Sequence, residues 1–229
     1  MYDVVYILKE NARADELRYS LRSIEANFAF RKVWFYGGKP EGIEPDEYVD
    51  HKQTGVNKWE RVRSSLFEIC RNDKITKKFW LFNDDFYVLK PTKNPKAFYN
   101  GVIRDHYLRI EQRHGGHQTA YTRQLRECEE YLKAAGLTQL NYAVHMPILV
   151  DRAKLLEVLE MFPRCPMIRN LYGNYANIGG EFHKDVKTAD PLKDVDPELD
   201  YLSTSDKSYS GKAGAFLAER FPDKCRFEV

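Results

Sequence analysis

Three consecutive polar residues, Asn83-Asp84-Asp85, interrupt an otherwise apolar stretch that runs from Phe79 to Leu89. Adjacent carboxylates repel each other unless a cation lies between them, and their oxygens are ligands that suit Mg²⁺ or Mn²⁺. The motif therefore predicts a metal–diphosphate site, with Asp84 and Asp85 as metal ligands and Asn83 beside the bound diphosphate. In the alternative interpretation, the acids cap the next segment or form surface ion pairs.

The elements around this motif predict where it lies. The apolar run from Phe79 is typical of a strand buried on both faces of a parallel sheet. Residues 3–8 and 32–36 predict two further strands, and a helix that opens at Asp15-Glu16 lies between them. This order predicts a parallel β-α-β unit with a right-handed crossover. Ligands of such sheets bind outside the carboxyl ends of the strands, which is where the acids come.

A second candidate segment opens a helix at Asn57. Asn57 and Arg61 lie one turn apart near the predicted N-terminus of this helix, where anionic groups are favoured. One interpretation is that the pair contacts a phosphate or a nucleotide as part of the donor site, and the favoured alternative is a solvated helix face.

Residues 104–126 are rich in basic side chains, with Gly115-Gly116 between them. One interpretation is a mobile loop that closes over an anionic donor or acceptor. An exposed basic face is the slightly favoured alternative, and contact with nucleic-acid phosphates is a third. The basic residues are Arg104, His106, Arg109, Arg113, His114, His117, Arg123 and Arg126.

His145 stands alone within the apolar stretch 141–150. A lone histidine in such a stretch is usually a core residue, but Pro147 removes a ladder donor and indicates a strand end or bulge. Both interpretations of His145 stay open. The loop-rich region 163–210 holds Arg169, Glu181, His183 and Asp206 as further candidates, because long loops in compact domains are commonly functional.

Length and composition favour one folded domain. The chain has 229 residues, of which 43% are hydrophobic and 31% are charged, and its net charge of +2 is too small to indicate nucleic-acid binding. No apolar run approaches the roughly 20 residues that span a bilayer, and no secretory signal is visible. The 4 scattered cysteines fit a reducing compartment, so we expect a cytoplasmic protein without a membrane span.

Four segments together resemble the Stealth family of hexose-1-phosphate transferases. These segments are Asp3-Val4-Val5-Tyr6, the helix Glu16 to Glu25 with the later Asn83-Asp84-Asp85, His145 with Pro147 and Arg169, and the C-terminal part that holds Asp206, Phe216-Leu217, Phe221-Pro222 and Phe227-Glu228. The Stealth core is similar to the GT-A fold of nucleotide-sugar glycosyltransferases. The resemblance implies an α/β, GT-A-like (Rossmann-like) single domain with a central, mostly parallel sheet flanked by helices.

The resemblance also implies roles for particular residues. Donor and metal would bind in a half of about residues 1–100, and the acceptor and the catalytic residues would lie in residues 101–229. Arg22 would hold a donor phosphate, His145 would be the general base, and Arg169 would stabilise phosphoryl oxygens. Asp206 would orient His145 or add a metal ligand.

Two reactions fit these expectations, and both use Mn²⁺ or Mg²⁺ with a nucleotide-sugar donor, expected to be a UDP-sugar. In phosphotransfer, an acceptor hydroxyl attacks the β-phosphorus and nucleoside monophosphate leaves. In glycosyl transfer, the hydroxyl attacks the anomeric carbon with His145 or Glu181 as base, and His183 completes the metal shell. The expected acceptor is a glycan, with a protein or a hydroxymethylated DNA base as alternatives. A non-catalytic binding protein on the same fold is a third hypothesis.

Overall fold

The computed structural model describes residues 1–93 and 95–229, and its centre is a five-stranded sheet in the order β3-β2-β1-β4-β7. The strands are β1 (Asp3–Leu8), β2 (Val33–Gly37), β3 (Glu47–Val49), β4 (Lys78–Phe82) and β7 (Ile148–Asp151). The first four run parallel, and β7 pairs antiparallel with β4. The expected α/β fold with a mostly parallel central sheet is therefore confirmed.

Helices cover both faces of this sheet. They are α1 (Ala14–Asn27), α2 (Lys58–Arg71), α3 (Ile103–Arg113), α4 (Ala120–Ala134), α5 (Arg152–Met161), α6 (Ile168–Tyr175), α7 (Asp206–Tyr209) and α8 (Lys212–Arg220). Leu17, Leu21 and Ile24 bury the apolar face of α1 against one side of the sheet. α2, α5 and α6 pack against the other side. The spacing of apolar residues in α1 predicts this buried face correctly.

Two short strand pairs lie outside the central sheet. β5 (Phe86–Val88) pairs antiparallel with β9 (Tyr201–Ser203), and β6 (Phe98–Tyr99) pairs parallel with β8 (Glu181–Phe182). The β5–β9 pair brings the chain around residue 203 back to the end of β4. This return places the late, loop-rich part of the sequence beside the acidic motif.

The structure departs from the sequence-based expectations in three places. Within the stretch 141–150 the strand begins only at Ile148, because the segment before it bends at His145 and Met146 and lies outside the sheet. The region expected to be loop-rich contains helix α6, which carries Arg169. Residues 104–126 form parts of α3 and α4 joined by a turn at Gly115-Gly116 rather than a loop, and most of their basic side chains are exposed, as the basic-face interpretation expects.

Among the described residues, no helix is long and apolar enough to cross a membrane. The four cysteines, Cys70, Cys128, Cys165 and Cys225, are buried as free thiols. The cytoplasmic location stays a prediction.

Candidate active site

A cleft of about 1310 Å³ opens along the edge of the sheet where the parallel strands end. Lys9 follows β1, Gly38 follows β2, and Asn83 and Asp84 follow β4 on its wall. Because β7 runs the opposite way, the segment before it, with His145, reaches the same edge. The topology thus brings the acidic motif and the histidine, 60 residues apart in sequence, into one cleft.

Close approach of β1 and β2 shapes the floor of this cleft. The amide of Gly38 donates to the carbonyl of Leu8 at 3.3 Å, and a Cβ on Gly38 would lie 2.0 Å from the carbonyl oxygen of Lys9. Any larger side chain at residue 38 would therefore push the two strand ends apart.

A tight turn carries the acidic motif. The amide of Phe86 donates to the carbonyl of Asn83 at 3.2 Å, which closes the turn. The hydroxyl of Ser20 donates to the carbonyl of Phe86 at 2.6 Å, and Ser20 also bonds to the hydroxyl of Tyr6 at 2.8 Å. Since all three residues are buried, α1 and β1 fix the position of the turn.

Asp84 presents a half-buried carboxylate to the cleft. Burial, and then the neighbouring charge of Asp85, raise the pKa of Asp84, while Lys9 and Lys187 oppose that rise. Because burial and the charge of Asp85 both disfavour the ionised form of Asp84, a bound cation would lower the free energy of its ionised carboxylate.

Asp85 borders the cleft beside Asp84, and its carboxylate is held by other residues. Its Oδ2 accepts from the ammonium group of Lys187 at 2.8 Å and from the hydroxyl of Ser203 at 3.2 Å. Its Oδ1 is buried and has no hydrogen-bond partner among the described residues. An unpaired buried carboxylate oxygen is costly, so this atom is a second place where a cation would be stabilising.

His145 is paired with Asp185. The imidazole Nδ1 lies 2.9 and 2.8 Å from the two carboxylate oxygens of Asp185, and the backbone amide of His145 donates to the same carboxylate at 3.2 Å. Burial would raise the pKa of Asp185, but these bonds and the nearby imidazole lower it, so the group is ionised at neutral pH. A carboxylate at Nδ1 selects the tautomer that leaves Nε2 as a base.

Arg169 lies behind the histidine on α6. Its guanidinium donates to the backbone carbonyl of Met146 and packs over the ring of Phe86, with its centre 5.7 Å from the ring centroid. Burial lowers the pKa of Arg169 to about 10, against the opposing charges of Asp185 and Asp85, so the side chain stays cationic at pH 7. The structure thus brings together Asn83, Asp84, His145 and Arg169 along the wall of the cleft.

Arg22 does not reach the cleft. It forms two hydrogen bonds with the carboxylate of Glu228, at 2.5 and 2.8 Å, and donates to the carbonyls of Phe221 and Pro222. This side chain joins α1 to the C-terminal segment, and the structure gives it no geometry for holding a donor phosphate.

Asn57 and Arg61 make different contacts. Asn57 caps α2, since its side chain accepts from the amides of Trp59 and Glu60, both at 3.0 Å. Arg61 is exposed and lines the cleft, with its Nε 3.3 Å from the carbonyl of Gly55. Only Arg61 of the pair is placed to meet a ligand there.

His183, Glu181 and Asp206 lie outside the wall of the cleft. His183 Nδ1 is 2.5 Å from the carbonyl of Lys184, and its ring packs on Phe98 rather than joining Asp84 and Asp85. Glu181 pairs with Lys96 at 2.5 Å. Asp206 opens α7 after the cap Ser205, and Asp185 occupies the position against His145 that Asp206 is expected to take.

Sequence reasoning missed Asp185 and Lys187. Both stand in a loop dense with charges, and Asp185 meets His145 across 40 residues of sequence. No local pattern distinguishes them from the charged residues around them, because the pairing arises only when this loop folds back along β9.

The carboxylates of the acidic motif fit a divalent metal that also binds a ligand's phosphate groups. Within residues 1–93 and 95–229, no three His, Cys, Asp or Glu side chains converge on one point. Asp84 and Asp85 are two adjacent carboxylates, and Mg²⁺ is commonly held by one or two carboxylates plus substrate phosphates. The residues fit a metal whose coordination is completed by a bound diphosphate.

Comparison with known proteins adds the fold class. No protein-family model matches the chain, and no curated protein matches it. Among solved structures, the galactosyltransferase LgtC in complex with donor and acceptor sugar analogs superposes with a TM-score of 0.52 at 12% identity, over 98% of both chains. An active-site mutant of LgtC gives 0.50 at the same identity and coverage.

These superpositions show that the chain has the GT-A-like fold of LgtC across nearly its whole length. The resemblance to the Stealth family rests on sequence segments and stays a prediction.

Proposed function

We propose that the protein is a nucleotide-sugar-dependent transferase that moves the glycosyl group of a UDP-sugar to an acceptor hydroxyl. The observation that supports this most is the His145–Asp185 pair, a base with an oriented Nε2, in the same cleft as Asp84. The fold shared with a galactosyltransferase along 98% of the chain supports a nucleotide-sugar donor, and we take glycosyl transfer as the first candidate reaction.

The donor would lie along the strand ends. Its diphosphate would contact the acidic motif through Mg²⁺ or Mn²⁺ held by Asp84 and Asp85, with Arg61 and Lys9 as further cationic groups on the wall. When bound, such a metal neutralises the charge that develops on the leaving diphosphate. Arg169 adds a fixed positive charge on the His145 side of the cleft.

His145 would act as the general base. Its Nε2 takes the proton of the acceptor hydroxyl while the hydroxyl oxygen bonds to the anomeric carbon, and the bond from that carbon to the diphosphate breaks. Asp185 holds the imidazole in the required tautomer and stabilises the imidazolium that forms. UDP is the released nucleotide.

Phosphotransfer is the second candidate, favoured by the Stealth-like segments around Asn83-Asp84-Asp85 and His145. The same base would activate a hydroxyl for attack on the β-phosphorus, and Arg169 would stabilise the phosphoryl oxygens. UMP would then be released in place of UDP.

The released nucleotide distinguishes these reactions. The protein is incubated with a panel of UDP-sugars and Mn²⁺ or Mg²⁺, with acceptors, and the nucleotide is identified by mass spectrometry. We expect UDP, lost in Asp85→Ala and in His145→Ala. UMP would establish phosphotransfer. Donor binding without turnover in wild type, retained in Asp85→Ala and independent of metal, would favour the non-catalytic binding protein.

The acceptor we propose is a sugar hydroxyl, and a basic stripe on α3 supports an anionic acceptor such as DNA as the alternative. His106, Arg109 and Arg113 share one helix face about 10 Å long. His106 is 3.5 Å from the hydroxyl of Tyr121, which lines the cleft. Residues 102–126 contain five arginines and two acids, a net +3, whereas the whole chain is +2.

A salt titration tests the anionic acceptor. If DNA binds this stripe, the slope of log K against log salt falls by about 2 in the double variant Arg109→Ala/Arg113→Ala, because two phosphate contacts are lost. The control with the same charge change is Lys193→Ala/Lys224→Ala, at two exposed lysines away from α3. Weak wild-type binding without salt dependence would remove DNA as an acceptor.

A further inference from the structure

Lys187 lies where a cation that binds Asp85 would be expected. Its ammonium nitrogen is 2.8 Å from Asp85 Oδ2, and the side chains of Lys187 and Asp85 are 31% and 13% exposed. Lys187 also lines the cleft, so one flexible side chain touches both the acidic motif and the space proposed for the diphosphate.

This ion pair has a consequence for metal binding. A divalent ion that approaches Asp85 in the free protein meets an ammonium group already bound to the same carboxylate. Two cations at one carboxylate repel each other, so the ammonium group must leave as the metal arrives. Departure of Lys187 frees Oδ2 of Asp85, and the buried Oδ1, which has no partner among the described residues, is a second oxygen on the same carboxylate.

The side chain of Lys187 is free to make such a move, whereas the side chain of Arg169 is not. The lysine ammonium group is a point charge on a flexible four-carbon stem. The guanidinium of Arg169 is fixed by the carbonyl of Met146 and by the ring of Phe86. A diphosphate beside the acidic motif carries more negative charge than one carboxylate, and it would give Lys187 a new partner.

We propose that Lys187 is a positioning residue that holds Asp85 in the free protein and transfers its ammonium group to the donor diphosphate, so that metal and nucleotide bind together. This inference rests on the proposed function, because it needs a diphosphate in the cleft. Metal alone binds weakly, since it must displace Lys187 without offering it another partner. Nucleotide and metal therefore strengthen each other's binding by the same factor, as linkage requires.

Calorimetry of Mn²⁺ binding tests the proposal without any turnover. In the wild type, we expect UDP to tighten Mn²⁺ binding at least about tenfold. In Lys187→Met, Mn²⁺ binds the nucleotide-free protein about tenfold more tightly than it binds wild type, and the effect of UDP shrinks. Lys187→Arg keeps the charge and is expected to retain most of the wild-type coupling. UDP binding by Lys187→Met in the presence of Mn²⁺ checks that this variant is folded.

Lys184→Met is the matched control. Lys184 is exposed, stands in the same loop and forms no ion pair within the described chain, so its variant keeps wild-type affinities. Unchanged Mn²⁺ affinity in nucleotide-free Lys187→Met, with UDP still bound in the presence of Mn²⁺, would overturn the role of Lys187 and leave the transferase proposal standing. Failure of the wild type to bind UDP with or without Mn²⁺ would remove both.

Discussion

At the residue scale, the central feature is the orientation of the His145 imidazole, which the carboxylate of Asp185 holds. Both carboxylate oxygens of Asp185 lie within 2.9 Å of Nδ1, and Nε2 makes no hydrogen bond to the described residues. The two side chains are only 35% and 30% exposed, so the pair is held against the wall of the cleft. An imidazole fixed in this way can accept a proton at Nε2.

We predict that Asp185→Asn lowers kcat by about 10²- to 10³-fold, because the amide no longer stabilises the imidazolium that forms during proton transfer. Steady-state kinetics of wild type and of Asp185→Asn at one pH measures the loss.

The matched variant is Asp206→Asn, at the acid that the sequence resemblance pairs with His145. From the contacts of Asp185 we expect only a small change in this variant. A large loss of kcat in Asp206→Asn, with Asp185→Asn near wild type, would contradict the assignment.

At the element scale, α1 is held to the C-terminal segment by one ionic cluster. Glu228, whose side chain is 3% exposed, accepts from Arg22 and lies 2.9 Å from Arg18. Burial would raise the pKa of Glu228, but the bonds from Arg22 and the amide of Cys225 lower it. Since α1 also fixes the turn that carries the acidic motif, this cluster supports the site from a distance.

Removing one partner of this buried pair should destabilise the fold and leave donor binding intact. We expect Arg22→Met to lower the free energy of unfolding by on the order of 3 kcal/mol, because Glu228 is left without its main partner. Thermal unfolding measures the loss, and UDP calorimetry below the unfolding temperature measures binding. Selective loss of UDP affinity in a fully stable Arg22→Met protein would instead support the family-based donor role.

The same cluster predicts an acid dependence of stability. The folded pKa of Glu228 is lowered, so its contribution is fully present above the ordinary glutamate pKa and is lost as pH falls through the lowered value. Wild type should therefore lose stability on acidification more steeply than Glu228→Gln. Glu219→Gln, at an exposed glutamate on α8, serves as the control and should follow wild type. Parallel stability–pH curves for wild type and Glu228→Gln would contradict this linkage.

At the scale of the whole molecule, the two proposed halves share one core. Val4 near the start, Val144 in the middle and Phe227 near the end belong to the same buried cluster on one face of the sheet. β7 of the second half also completes the sheet formed by the first half. We propose from this sharing that residues 1–229 form a single domain.

A single domain of this kind should unfold in one cooperative step. Scanning calorimetry is expected to give one transition with equal calorimetric and van't Hoff enthalpies, and a fragment of residues 1–100 alone should stay unfolded. Two separable transitions, or a folded fragment, would show that the halves are independent domains.

The sequence predicts most of the fold, since its patterns are local. The β-α-β opening and the helix that opens at Asn57 depend on residues within a few turns of each other, and both are found. Helix α6 was not predicted, because Gly173 and mixed polarity obscure its period. Gly173 itself lies against the ring of Tyr142, a contact that only the fold creates.

The candidate site was predictable only in part. Asn83-Asp84-Asp85 and His145 follow from the polar interruption of apolar stretches, and both line the cleft or border it. Asp185 and Lys187 could not be found in this way, since their partners lie 40 and 102 residues away. Long-range pairs of this type depend on how β9 returns to β5, which no local pattern encodes.

A crystal structure of the protein with UDP and Mn²⁺ tests the central claim most directly. We expect the diphosphate at the strand ends, with Mn²⁺ between it and the carboxylates of Asp84 and Asp85, and the ammonium group of Lys187 moved from Asp85 to the phosphate. His145 should then face the space beyond the diphosphate, where sugar and acceptor meet. A nucleotide bound elsewhere, or none in the cleft at saturating concentration, would contradict the assignment of this cleft as the site of a nucleotide-sugar-dependent transferase.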